Sequence, residues 1–250
     1  LDAAGPWRRA LGDRRPRPWS RAGRRREVRW PPEVSFDELV RQVGPDARTI
    51  LEVGANDGSD TERLLAAFPR AVVHCFEPEP RALERLERLA GHPRVRIHPV
   101  AVGAADGTAP FHRSGGAHPS GAIPGPWNQS GSLRAPTGHL EQFPWCTFDE
   151  TCAVEVVALD AWAVRTGVDA VDLIWADVQG AEGDLVDGAA ALLGSTRFLF
   201  AEVFGTELYA GQVDLAGLRA RLPGWRIARR FRHDVLFAGP GVTAHDPIVD

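Results

Sequence analysis

Residues 48–58 read RTILEVGANDG, and this stretch decides the fold. Arg48 to Val53 is a short, mostly aliphatic run of the kind that forms a buried strand. Gly54 and Gly58 punctuate the turn behind it, and Ser59-x-x-Glu62 then caps a helix that runs through Phe68. A strand passing through a Gly-rich turn straight into a helix is the opening unit of a parallel α/β sheet. Gly54 permits the tight turn, Gly58 lets a ligand approach the backbone, and the helix N-terminus offers unpaired N–H groups.

Reading outward, Ala71 to Phe76 (AVVHCF) predicts a second strand. Pro80 suits a first helical turn, Leu83, Leu86 and Leu89 share one face, and Gly91 stops that helix. Val95 to Val102 predicts a third strand. This β-α-β-α-β order with short links implies parallel strands joined by right-handed crossovers. Residues 113–150 break the pattern, being rich in Gly, Pro, Ser, His and Trp without a period, and predict a long functional loop. Order resumes with a strand over Val154 to Leu159, a helix capped by Asp160 and the strand Val171 to Ala176 (VDLIWA). A helix from about Ala181 to Leu193 and the strand Arg197 to Phe204 follow. A helix over 214–222 then leads to two strands, Trp225 to Ala228 and Val235 to Ala238, which read as an antiparallel edge hairpin. Upstream, Ser35-Phe36-Asp37-Glu38 reads as a capping box for a short helix to about Val43. The expected fold is one doubly wound α/β domain over residues 32–250, preceded by an Arg- and Pro-rich mobile segment at 1–31.

Composition narrows the classes. Hydrophobic residues make up 44% of the 250, enough for a sizeable core. No apolar run is long enough to span a bilayer, and residues 1–30 show no apolar region of a secretory signal, so a cytoplasmic protein without membrane attachment is expected. Cys75, Cys146 and Cys152 form neither a zinc pattern nor an even disulfide set. All 29 basic residues are Arg. Ten of them fall in residues 1–30 against Asp2, Asp13 and Glu27, so the rest of the chain is strongly acidic and no nucleic-acid partner is expected for it.

Three strand ends carry the chemistry. The turn after the first strand, Glu52-Val-Gly54-Ala-Asn56-Asp57-Gly58, lacks the G-x-G-x-x-G nicotinamide fingerprint, since Asn56 and Ser59 stand where glycines belong. Glu52 beside it disfavours a polyanion and suits a cationic, amino-acid-like ligand. Glu77, in Cys75-Phe76-Glu77-Pro78, ends the second strand where an acid can accept hydrogen bonds from both ribose hydroxyls. Asp177-Val-Gln179-Gly180-Ala-Glu182 follows VDLIWA directly, and Glu202 ends another strand in the same way. Two acids aimed at one cleft call for a cation, a metal or a substrate hydroxyl.

Taken together, LEVGANDGSD, FEPEP, HPVAVGAADG and IWADVQGAEGDLVDGA resemble the FkbM-type methyltransferases over roughly residues 48–204. The resemblance implies a Rossmann-like class I methyltransferase sheet of about seven strands with a reversed last strand. It implies S-adenosylmethionine as donor and a hydroxyl of a secondary metabolite or sugar as acceptor. Gly54, Asn56 and Gly58 would line the methionine end, Glu77 would hold the ribose, and Ala101 and Val102, with Asp106 nearby, would flank the adenine. Gln179 departs from the glutamate common at that place in the family. The 113–150 stretch looks like the family's variable substrate region.

An alcohol acceptor must lose its proton near the transition state. Asp177 is the first candidate to take it and His233 the second, followed by His118 and His139. The alternative is a magnesium ion, held by Asp177 and Glu202, that lowers the acceptor's pKa. Two rival functions stay open beside methyl transfer: a dinucleotide-dependent oxidoreductase on the same fold, and a catalytically silent binding module.

Overall fold

The structure, a computed structural model, describes residues 34–121 and 125–243. The expected mobile segment at 1–31 lies outside the described residues.

The first strand, β1 (Thr49–Val53), is buried on both faces. Leu51 and Val53 point into one apolar cluster and Ile50 into the other, the pattern of a parallel strand covered by helices on both sides. Helices α1 (Phe36–Val43), α2 (Ser59–Ala67) and α3 (Pro80–Leu86) cover one face through Leu39, Leu64 and Leu86. Helices α5 (Leu159–Thr166), α6 (Glu182–Asp187) and α7 (Leu215–Arg221) cover the other through Trp162, Leu185 and Leu218. Glu79 caps α3 by accepting from Ala82 N, and Pro80 occupies its first turn. Ser35 precedes α1 but its side chain makes no cap, so the capping box is not formed. Its Glu38 is instead taken by Arg41 and Gln42.

The main sheet has seven strands. In chain order they are β1, β2 (Val72–Phe76), β3 (Val95–His98), β7 (Val171–Ala176), β8 (Thr196–Glu202), β9 (Arg226–Arg230) and β10 (Asp234–Ala238). Their order across the sheet is β3-β2-β1-β7-β8-β10-β9. All pairs from β3 to β8 are parallel, and β10 runs antiparallel to both neighbours. The closing hairpin thus sits at the end of the sheet, with its reversed strand inside and β9 at the edge. The chain walks outward from β1 to β3 and returns to β7 on the other side of β1. That reversal opens a crevice at the carboxyl ends of β1 and β7, where open α/β sheets bind their ligands.

Three further expectations are corrected. The region 113–150 is not loop throughout. β5 (Gly107–Gly116) and β6 (Cys146–Val157) form a long antiparallel pair, with α4 (Gly138–Gln142) between them. The expected third strand also splits: β3 ends at His98, and β4 (Ala101–Val102) joins β6 in a second sheet ordered β4-β6-β5. Much of β5 is exposed or half-buried, so it carries little of the apolar alternation that marks a strand in sequence. Likewise, the helix expected over 181–193 stops at Asp187, and a short 3-10 turn spans Leu192–Ser195.

Candidate active site

A cavity of about 330 Å³ lies over the carboxyl ends of β1, β2 and β7. Its floor is the turn after β1. Gly54 has φ +90°, and a Cβ there would stand 1.9 Å from the carbonyl oxygen of Asp177, so only glycine lets the two strand ends meet. Asn56 is also left-handed, at φ 46°. Its Oδ1 accepts from Asp57 N at 2.8 Å, and its Nδ2 donates to the carbonyl of Asn128 at 3.0 Å.

Glu77 is buried at the end of β2 and lines the cavity. Its Oε2 accepts from Asn56 N at 2.8 Å and its Oε1 from Glu79 N at 2.7 Å. Burial pushes its carboxyl up to about 7, and these two N–H donors oppose the rise. Ala101 and Val102 form the wall beyond it, with Phe76, Pro78 and Val100. The insertion between β4 and α5 contributes Phe111, Asn128, Gln129, Gly131 and Leu133 from above.

Asp177 reaches the cavity from the end of β7, its backbone N–H bonded to Val53 O at 2.9 Å. Two residues on, Gln179 adopts φ 52°. Its Nε2 donates to Asp177 Oδ1 at 2.6 Å and to Glu202 Oε2 at 3.1 Å. The hydroxyl of Tyr209, the chain's single tyrosine, is 3.0 Å from Gln179 Oε1 and 2.8 Å from Ser130 O. Ser132 Oγ donates to Gln179 O at 2.7 Å. Gly180 leaves room for Tyr209, since a Cβ there would stand 2.8 Å from that residue's Cβ. Residues of the insertion are thereby tied to both strand ends. A smaller pocket adjoins the cavity through Gln129 and Gln179, walled by Trp127, Phe143, Trp145, Phe204, Leu208, His139 and Glu202.

Other expected site residues lie elsewhere. Glu52 is fully buried behind the turn, accepts from Thr61 Oγ1 of α2 at 2.6 Å, and is pushed up to about 8 by burial; it does not line the cavity. Gly58 is the left-handed N-cap of α2 and packs against Leu86 and Leu89. Asp106 is turned away from the cavity: it accepts from Ala158 N at 2.8 Å and pairs with Arg165 at 2.6 Å, bracing the insertion against α5. His233 sits in the turn before β10, stacked on Phe204 and outside the cavity wall. His118 stacks on Trp127. His139 packs on Phe143, Phe148 and Tyr209, and burial lowers it to about 4. Glu182 is buried at the first turn of α6, accepts from Gly180 N at 3.3 Å, and is raised by burial to about 7. Tyr209 and Phe111 are not marked by any motif in the sequence; that Tyr209 is the lone tyrosine is the one signal available.

Among the described residues the cavity wall carries Asp57, Asp60, Glu77, Glu79 and Asp177 with one cation, Arg63. Asp60 pairs with Arg63 and Glu79 with Arg81 and Arg113, and Asp57, Glu77 and Asp177 are the remaining acids of the wall. That balance favours a cationic ligand and repels a dinucleotide's pyrophosphate. A doubly wound sheet with one reversed strand, and an acidic ligand cavity at its switch point, defines a Rossmann-like methyltransferase. Residues 52–232 match the model of the methyltransferase FkbM domain, and the chain belongs to that family of S-adenosylmethionine-dependent methyltransferases. It is 40% identical over 199 residues to the 2-O-methyltransferase NoeI of Sinorhizobium fredii (strain NBRC 101917 / NGR234), covering 79% of this chain and 80% of that protein. Solved structures that resemble it include Aeropyrum pernix fibrillarin with natively bound S-adenosyl-L-methionine, at 14% identity over 78% of this chain and 67% of that one, TM-score 0.43. Another is magnesium protoporphyrin IX methyltransferase from Synechocystis PCC 6803 with bound S-adenosylmethionine, at 12% identity over 82% and 77%, TM-score 0.44. Among the described residues, no helix is long and apolar enough to cross a membrane.

Proposed function

We propose that the chain transfers a methyl group to a hydroxyl oxygen of a small-molecule acceptor, with Asp177 taking the hydroxyl proton. The observation that carries this reading is the position of Asp177: it lines the cavity at the end of a buried strand, beside the turn that would take the donor. The name of the relative NoeI, a 2-O-methyltransferase, supports oxygen as the atom methylated.

The residues present fit S-adenosylmethionine. Glu77, pinned through both oxygens by Asn56 and Glu79, would take the ribose. Gly54 and Asn56 would bed the methionine end, the surrounding acids offsetting its positive charge, and Ala101 and Val102 would face the adenine. The donor supplies a methyl already activated on a sulfonium, which leaves as a neutral thioether when the methyl–oxygen bond forms. What remains for the chain is to orient the acceptor, exclude water and accept one proton. Asp177 is placed for the proton. Phe111 and Leu133 of the insertion, together with the aromatic side pocket, would hold the apolar part of the acceptor and keep water out. His233, outside the cavity wall, is second to Asp177 as the proton acceptor. Three free cysteines accord with a reducing cytoplasm as the setting.

The test is incubation of the full chain with methyl-labelled donor and a panel of glycosides, polyols and phenols. The reading expects label on an acceptor oxygen, with turnover that depends on Asp177. Label found only on nitrogen, or only on macromolecules, would overturn it.

A further inference from the structure

Gln179 holds the most constrained position at the centre. It is one of two non-glycine residues with a left-handed backbone among those described, the other being Asn56. An L residue at such a φ persists only where its surroundings hold it. Ser132 Oγ fixes its carbonyl at 2.7 Å, and Tyr209, fully buried, stands 3.0 Å from its Oε1. Its Nε2 then points between two acids, 2.6 Å from Asp177 Oδ1 and 3.1 Å from Glu202 Oε2.

The direction of this amide follows from electrostatics. An amide can be turned end for end. Turned the other way, Gln179 would aim oxygen lone pairs at two acid oxygens and give up both donated hydrogen bonds. As placed, each N–H meets an acceptor. The NH₂ group therefore fills the gap between Asp177 and Glu202 in which a bridging cation would sit. Magnesium takes oxygen ligands in near-octahedral arrangement; as this amide is placed it turns nitrogen, not Oε1, toward the gap, and an ion there would have to reverse it. Among the described residues, no group of three or more His, Cys, Asp or Glu side chains is placed to hold a metal ion. With the amide nitrogen between the two acids, the residues as arranged do not fit the magnesium ion expected at Asp177 and Glu202.

We infer that Gln179 stands in for a metal: its amide clamps Asp177 to Glu202, fixes the Asp177 carboxyl at the cavity wall, and makes this centre independent of divalent cations. Gln179 is thus a positioning residue that acts through Asp177, and to that extent the inference rests on the proposed role of Asp177. The clamp itself does not. It requires only that a hydrogen-bond donor, and not a cation, joins the two acids.

Two measurements on the full chain saturated with S-adenosylhomocysteine test it. In the first, MnCl₂ is added while the side-chain amide signal of Gln179 is followed by NMR, the signal being identified by its loss in Gln179→Leu. The clamp predicts that this signal stays as sharp as the other glutamine amides. Selective broadening would place the ion between the acids and overturn the inference. In the second, melting is recorded with millimolar MgCl₂ and with EDTA. The wild type should melt alike in both. Gln179→Glu replaces the donor with a third carboxylate, and should lose melting temperature in EDTA and regain it in MgCl₂. A wild-type melting rise in MgCl₂ that EDTA reverses contradicts the clamp, and so does a Gln179→Glu variant that folds and is indifferent to magnesium. If Gln179→Glu does not fold, the wild-type titrations decide. Positioning is read separately: Gln179→Leu should keep S-adenosylhomocysteine affinity and lower kcat by roughly 10–100-fold, with KM for the acceptor little changed. Normal turnover by Asp177→Asn would remove the proton-acceptor reading, and the two titrations would still decide the clamp.

Discussion

Asn56 Nδ2 donates to the backbone carbonyl of Asn128 across 3.0 Å, so the turn after β1, the proposed donor bed, is tied directly to the insertion above it. The tie joins a residue just after the first strand to one in the segment between the long strands of the second sheet. Asn56→Gly tests it, because glycine keeps the left-handed backbone while removing the side chain and with it both side-chain hydrogen bonds, to Asn128 O and from Asp57 N. Loss of the tie to Asn128 should weaken S-adenosylhomocysteine binding by about 0.5–1.5 kcal/mol, mostly through a faster off-rate as the roof loosens, whereas loss of the bond from Asp57 N lies within the turn itself. An unchanged off-rate in stopped-flow measurements would show that the roof is held by other contacts.

Glu77→Ala should weaken S-adenosylhomocysteine binding by about 1–3 kcal/mol, the cost of leaving polar partners without their acceptor. Because burial raises Glu77 to about 7, donor affinity should also depend on pH. The ionised carboxylate is the better acceptor for ribose hydroxyls, so affinity should fall as pH drops through about 7. Calorimetry across that range checks both statements. A flat pH profile, or wild-type affinity in Glu77→Ala, would count against ribose binding by this residue.

Asp177→Asn should leave the fold and the donor's dissociation constant in place and reduce turnover by about 10²-fold or more, as expected for loss of a general base. The measurement is single-turnover methyl transfer to whichever hydroxylated acceptor the panel yields. If the variant turns over normally, the proton goes elsewhere and His233 is the next residue to replace.

Glu52 carries a stability prediction. Its carboxyl is raised from the ordinary 4.5 to about 8 by burial. The native state therefore holds a proton that the unfolded chain releases above 4.5. Stability tied to this group is present at low pH and is lost as pH rises through about 8. Glu52→Gln, which mimics the protonated acid, should melt higher than wild type above that pH and show a flatter profile. Since Glu52 does not line the cavity, donor affinity should be unchanged. A loss of donor affinity in this variant would instead give Glu52 the ligand-facing role its place in the sequence suggests.

The strands were readable because β1, β2 and β7 are short, mostly apolar runs, β1 running into Gly54 and the other two each followed at once by an acid. Glu77 and Asp177 were legible for the same reason: where the apolar run stops, the next side chain stands at the mouth of the sheet. The second sheet was hidden because β5 alternates only weakly and borrows its stability from β6. The Gln179 clamp was hidden more deeply. Ser132 lies 47 residues before Gln179 and Tyr209 30 after, and no local pattern links residues that meet only once the insertion folds back on the sheet. Asp106 shows the reverse case. Its place in the sequence beside Ala101 and Val102 suggested the cavity, but β4 turns the chain away there and the carboxylate spends itself on Ala158 N and Arg165.

The central claim is that the acidic cavity at the switch point binds a cationic sulfonium donor, and calorimetric titration tests it most directly. Titrating the full chain with S-adenosylmethionine, then in parallel with NADH, should give one saturable site for the first and no binding heat for the second. A chain that binds NADH and gives no heat with S-adenosylmethionine would contradict the account.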